Sequence, residues 1–98
     1  MVKRRIHDDE GHAQFVTFSC YRRRRLLDHP RARQVVISLL ATELAVHDGA
    51  CCGFVVMPDH VHAIVWFREN GRLSHFMKQW KQESSVLLKR LVRGQLAA

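Results

Sequence analysis

Met57-Pro58-Asp59-His60-Val61-His62-Ala63-Ile64-Val65-Trp66 is the stretch that decides the fold. Pro58 and Asp59 are turn formers: proline presets φ, and the short aspartate side chain bonds to nearby backbone. Two apolar, strand-like runs flank them, Cys51–Met57 and His60–Phe67. Two such runs around so short a turn predict an antiparallel hairpin. Within the second run, side chains alternate between faces. His60 and His62 therefore leave the same face, with Cα atoms ~6.5–7 Å apart. Val61 points the other way and can anchor the strand in a core, whereas Trp66 shares the histidine face by parity.

Working outward, residues 14–21 (Gln-Phe-Val-Thr-Phe-Ser-Cys-Tyr) are aromatic and β-branched and predict a further strand. Phe15, Thr17, Ser19 and Tyr21 fall on one face, and Val16, Phe18 and Cys20 on the other. A helix over about 29–47 is expected next. Asp28 is its candidate cap, Pro30 suits the first turn, and Gly49 is a stop signal. Val35, Val36, Leu39, Leu40 and Leu44 recur along it at helical spacing. Beyond the hairpin, Asn70-Gly71 marks a turn. Leu73, Phe76, Met77, Trp80, Leu87, Leu88 and Leu91 then form a second helical stripe, with Lys78, Lys81, Lys89 and Arg90 off it. Such a stripe is core packing, and Trp80 belongs to it.

The order is β-α-β-β-α. This predicts an α+β fold, a ferredoxin-like split βαβ with an antiparallel sheet that lacks its last strand. An unpaired sheet edge invites association, so a homodimer through that edge is one expectation. Residues 1–13 read as a flexible basic arm and 14–98 as a single partial domain.

The chain has 98 residues, 47% hydrophobic and 26% charged, so it is globular. No apolar run approaches the ~18 residues of a membrane helix, and no apolar segment follows Lys3-Arg4-Arg5 to make a signal peptide. Three cysteines, two of them adjacent at Cys51-Cys52, do not form a disulfide framework; reduced thiols and a cytoplasmic location are expected. A membrane span, a secreted disulfide scaffold and a large multidomain enzyme are thereby excluded. Sixteen Lys and Arg against nine Asp and Glu give a net charge of +7. A basic surface of this kind suits a polyanion, and nucleic acid is the commonest.

Two neutral imidazoles on one strand face can share a metal ion. Alone they are also common surface features, because two ligands do not complete a site. Asp59 can orient a histidine or simply serve the turn. Adjacent cysteines on a strand point to opposite faces, so Cys51 and Cys52 make a poor zinc pair with these histidines. Arg22, Arg23, Arg24 and Arg25, on an extended segment, can straddle a phosphate backbone; the plainer reading is a solvated charge run. Arg4 and Arg5 are further candidates for DNA contact. His75 reads as a helix-surface histidine.

With these residues in view, the chain resembles the IS200-type tyrosine transposases of the histidine–hydrophobic–histidine (HUH) class, most closely the branch associated with repetitive extragenic palindromes. The likeness covers about residues 6–92. It rests on Phe15-Val-Thr-Phe-Ser-Cys-Tyr-Arg-Arg-Arg, on Asp28-His-Pro-Arg-Ala-Arg, on Phe54-Val-Val-Met-Pro-Asp-His-Val-His-Ala-Ile-Val and on Met77-Lys-Gln-Trp-Lys-Gln-Glu-Ser-Ser. The resemblance implies metal-assisted nicking and rejoining of single-stranded DNA beside hairpins. It implies a divalent ion, Mg²⁺ or Mn²⁺, on His60 and His62, and a tyrosine nucleophile on a later helix. Tyr21, the one tyrosine here, sits in the first strand instead. The resemblance is thus to a C-terminally truncated and catalytically incomplete transposase. A non-catalytic nucleic-acid-binding module and an inactive remnant are the alternative readings.

Overall fold

The computed structural model describes residues 13–96, excluding the side chains of residues 21, 95 and 96. Arg4, Arg5 and almost all of the expected arm lie outside the described residues, as does the Tyr21 side chain. The elements follow the order expected from the sequence: β1 Gln14–Ser19, α1 Pro30–Val46, β2 Gly49–Val56, β3 His60–Phe67 and α2 Leu73–Leu91. Short 3₁₀ turns at Tyr21–Arg23 and Leu26–Asp28 join β1 to α1, and a π turn, Val92–Leu96, follows α2.

The three strands form one antiparallel sheet in the order β1-β3-β2. Among the described residues there is no fourth strand, and β1 is an edge. Both helices cover one face. Val16, Phe18 and Cys20 of β1 and Val61, Ala63, Val65 and Phe67 of β3 are buried there. They meet Ala32, Val36, Leu40 and Leu44 of α1 and Leu73, Phe76, Trp80 and Leu88 of α2. The core is therefore the sum of two period-two strand faces and two helical stripes. Trp80 is fully buried, and its indole N–H donates to the Val36 carbonyl at 3.0 Å, joining the two helices. Ser84 fills the gap in the α2 stripe; its buried hydroxyl makes no hydrogen bond.

Three local expectations are corrected. The first strand ends at Ser19, not Tyr21, because Arg22 and Arg23 adopt left-handed φ values of 55° and 56°. That conformation breaks the extended path. Asp28 does not cap α1: the N-cap is His29, without a side-chain bond, and the Asp28 carboxylate takes Arg25 instead at 3.0 Å. The left-handed residue after α1 is Asp48 (φ 59°), and Gly49 already begins β2. Gly49 has a different reason to be glycine. A Cβ there would lie 2.7 Å from the Phe67 ring and 2.9 Å from the Trp66 carbonyl oxygen. Phe67 is buried and cannot swing away freely. Gly49→Ala is accordingly expected to cost about 1–3 kcal/mol through overpacking, read as a lower midpoint in urea unfolding; an unchanged midpoint would contradict this packing.

Candidate metal and nucleic-acid site

The hairpin turn is fixed from three directions. Met57 N–H donates to the His60 carbonyl at 2.7 Å and closes the turn. Cys20 N–H donates to the Asp59 carbonyl, and Leu27 N–H to the Pro58 carbonyl, both at 2.9 Å. The segment after β1 thus clamps the residues before His60. The Arg23 side chain adds an ion pair to Asp59 at 2.9 Å.

On the face away from the helices, His60 and His62 lie side by side. Their ring centroids are 4.6 Å apart and the rings nearly perpendicular, 78°. Both are half-buried. Each ring is held at Nδ1. His60 Nδ1 bonds the Asp59 carboxylate at 2.7 Å, and His62 Nδ1 bonds the Thr17 hydroxyl at 3.1 Å. Thr17 is the residue opposite His62 in the β1–β3 register. Phe15 stacks on the other side of His62 with centroids 5.3 Å apart. Nδ1 of each ring is thus engaged by an oxygen, which leaves Nε2 as the nitrogen of each ring that can face a ligand. The hydrogen bonds from His60 and Arg23 hold the Asp59 carboxyl below the usual carboxylate range. The Asp59 contacts are therefore intact above the ordinary carboxylate pKa of about 3.9 and are lost only as pH falls through the lower folded value.

Other candidate residues do not join this pair. Among the described residues, no group of three or more His, Cys, Asp or Glu is placed to hold a metal. Cys51 and Cys52 are exposed free thiols on β2, where the register slips between Cys51 and Gly53. Cys20 is buried, and burial pushes its thiol up, which makes it inert. Among Arg22–Arg25, the straddling geometry expected of an extended run is replaced by the left-handed turn. Arg23 and Arg25 are committed to Asp59 and Asp28, while Arg24 lines a groove beside β1. All four are exposed. His75 is exposed on α2, as expected, with its ring 5.2 Å from that of the buried His47. His47 had no motif around it, but Glu43 four residues earlier was the available signal. Both are buried on α1 and its C-terminal cap, with His47 Nδ1 donating to the Glu43 carbonyl at 2.8 Å. Thr17 and Phe15 were the contributors that sequence reading missed.

Among the described residues, no helix is long and apolar enough to cross a membrane. No curated protein matches the chain. A solved structure, that of a REP-associated tyrosine transposase bound to a REP hairpin, has a TM-score of 0.67 with 22% identity. The match covers 79% of this chain and 47% of that one, so this chain spans about half of that transposase. The likeness is one of fold. The family model described as "Transposase IS200 like" matches residues 9–95. With nearly the whole sequence inside that match, and the β-α-β-β-α order in place, the chain belongs to the IS200-like transposase family.

Proposed function

We propose that this chain forms the metal-holding and DNA-binding part of a single-strand-DNA tyrosine transposase. The observation that carries the reading is the paired orientation of His60 and His62, each fixed at Nδ1 by a separate oxygen. That arrangement accommodates a divalent ion, Mg²⁺ or Mn²⁺, where oxygen ligands complete its shell. A bound ion supplies polarisation of the scissile phosphate. The chain's own residues do the positioning: Asp59 and Thr17 set the rings, Phe15 limits rotation of His62, and the turn clamps keep Asp59 in place. The remaining coordination is left to phosphate oxygen, water or a side chain from elsewhere.

DNA beside a hairpin, single-stranded at the reacting bond, is the proposed substrate. Arg22–Arg25, exposed next to the Asp59 turn, are the proposed phosphate contacts, with Arg4 and Arg5 as further ones. In this reading the nucleophile is not Tyr21, which the fold puts in the turn after β1, on the far side of Cys20 from the strand. It is contributed by another segment or polypeptide, so nicking and rejoining are incomplete with these 98 residues alone. A homodimer through the edge of β1 is not part of the proposal, because α2 carries cations toward that edge and two copies would set them against each other.

The test is binding of a DNA hairpin with a single-stranded flank, with and without Mn²⁺. Tighter binding with Mn²⁺, and a steep loss of affinity with salt, are expected. Salt dependence with no effect of Mn²⁺ would favour the non-catalytic nucleic-acid module. One substitution probes the ring-setting role. Asp59→Asn is expected to weaken Mn²⁺ binding about 10–100-fold, measured by calorimetry, with folding retained. Unchanged affinity would reduce Asp59 to a turn residue.

A further inference from the structure

The Asp59 carboxylate is shared. His60 Nδ1 bonds one of its oxygens at 2.7 Å, and Arg23 Nε bonds the other at 2.9 Å. An ionised carboxylate only accepts, so both partners donate. Exposure falls along this row, from 62% for the Arg23 side chain to 23% for Asp59 and 18% for His60. Arg23 therefore meets solvent, while the imidazole at the other end belongs to the candidate metal pair. Arg23 touches Asp59 through Nε, and the terminal amino groups of the same guanidinium are donors suited to phosphate oxygens. Arg25–Asp28, Arg68–Asp48 and Arg72–Glu69 are also ion pairs, but their acids are exposed and join no histidine. The backbone bends to bring Arg23 to Asp59. Arg22 and Arg23 are both left-handed, which is uncommon for arginine, and Arg23 N–H returns to the Cys20 carbonyl at 2.9 Å. Conformations of this kind persist where the surroundings fix them, and they gather at ligand sites.

We propose that Arg23 is a positioning residue that couples DNA to the metal ion, acting through Asp59 on His60. The inference rests on the reading of His60 and His62 as ion ligands. A DNA phosphate that engages the terminal amino groups of Arg23 draws its positive charge away from Asp59. The carboxylate then accepts more strongly from His60 Nδ1–H, and Nε2 of that ring becomes a better donor to an ion. Affinity for the ion rises when DNA is bound. By linkage, the ion raises affinity for DNA by the same factor. The site thus holds its ion most firmly on its substrate. Lysine could not replace Arg23 in this role, because a single ammonium lacks the planar fork that faces a carboxylate and a phosphate at once.

The experiment measures Mn²⁺ affinity by calorimetry, without and then with a DNA hairpin bearing a single-stranded flank. The ratio of the two affinities is taken within each variant, so shifts of the baseline cancel. In the unaltered chain the DNA is expected to tighten Mn²⁺ binding about fivefold or more. Arg23→Gln is expected to lower that ratio about threefold or more, whereas Arg25→Gln, with the same loss of charge, weakens DNA binding and keeps the ratio. Arg23→Lys keeps the salt dependence of DNA binding but loses the ratio as Arg23→Gln does. In an Asp59→Asn background, Arg23→Gln has no further effect on it. The His60 ring signals of the metal-free chain should move on adding DNA, and move less in Arg23→Gln. An unchanged ratio in Arg23→Gln, with DNA and Mn²⁺ both still bound, overturns the proposal and leaves the metal reading standing. A full ratio in Arg23→Lys overturns it too, since charge alone would then suffice. Mn²⁺ affinity that survives His60→Ala/His62→Ala before any DNA is added removes the metal reading itself, and the proposal with it.

Discussion

Trp80→Ala is expected to leave the chain largely unfolded at 25 °C. The side chain is fully buried and touches every layer of the core. It stacks on Phe76 with centroids 5.6 Å apart, and lies 5.0 Å from the Phe18 ring of β1. Its N–H reaches the Val36 carbonyl on α1. Truncation removes the packing of two helices on the sheet, worth about 3–5 kcal/mol for a buried Trp. It also strips the Val36 carbonyl of a side-chain donor. A domain of this size holds only about 5–15 kcal/mol in total, and a three-stranded sheet with an open edge sits toward the low end. Trp80→Phe separates the two contributions. It keeps most of the aromatic contact, loses the hydrogen bond and should fold with a lowered midpoint. Thermal unfolding followed by circular dichroism distinguishes the cases. A Trp80→Ala variant that melts with the unchanged chain would contradict this account of the core.

The second large effect is on metal affinity. His60→Ala/His62→Ala is expected to lower Mn²⁺ affinity more than about 100-fold, beyond the effect of losing one orienting partner, and to leave the fold intact. The fold survives because both rings lie on the face away from the helices, where their removal opens no core cavity. The Val61 and Ala63 side chains between and after them remain buried and keep β3 in place. Calorimetric titration with Mn²⁺ gives the affinity, and the circular dichroism melt gives the fold. Retained affinity in the double variant would move the ion elsewhere.

Much of this arrangement was legible in the residues because it rests on periodicity. The alternation in Val16–Cys20 and Val61–Phe67 separated the core face from the histidine face, and the structure buries those same side chains. The spacing in α2 marked Phe76, Trp80 and Leu88 for the core in the same way. Pro58-Asp59 announced the hairpin, and β3 begins and ends where its apolar run does. What escaped depends on pairing between distant segments. That Thr17 would hold His62 follows from the register of β1 on β3, which no local pattern states. The stack of Phe15 on His62 has the same origin. Arg22–Arg25 looked extended because a charge run carries no backbone signal. The hydrogen bonds to the Asp59 turn and the Arg23–Asp59 pair instead fold it back in a left-handed conformation. Asp28 looked like a cap by residue type, but Arg25 three residues earlier took its carboxylate. Adjacent cysteines were read by strict alternation, whereas a register slip interrupts β2 where they lie.

The central claim is that one cation sits between His60 and His62. Imidazole NMR spectra of the unaltered chain, recorded as Mn²⁺ is added in small steps, test it most directly, since the paramagnetic ion broadens nearby nuclei first. The account predicts that the His60 and His62 ring signals vanish together at the lowest additions, while those of His47 and His75 persist. Broadening that begins at His47 and His75, or that reaches all histidines evenly, would contradict it.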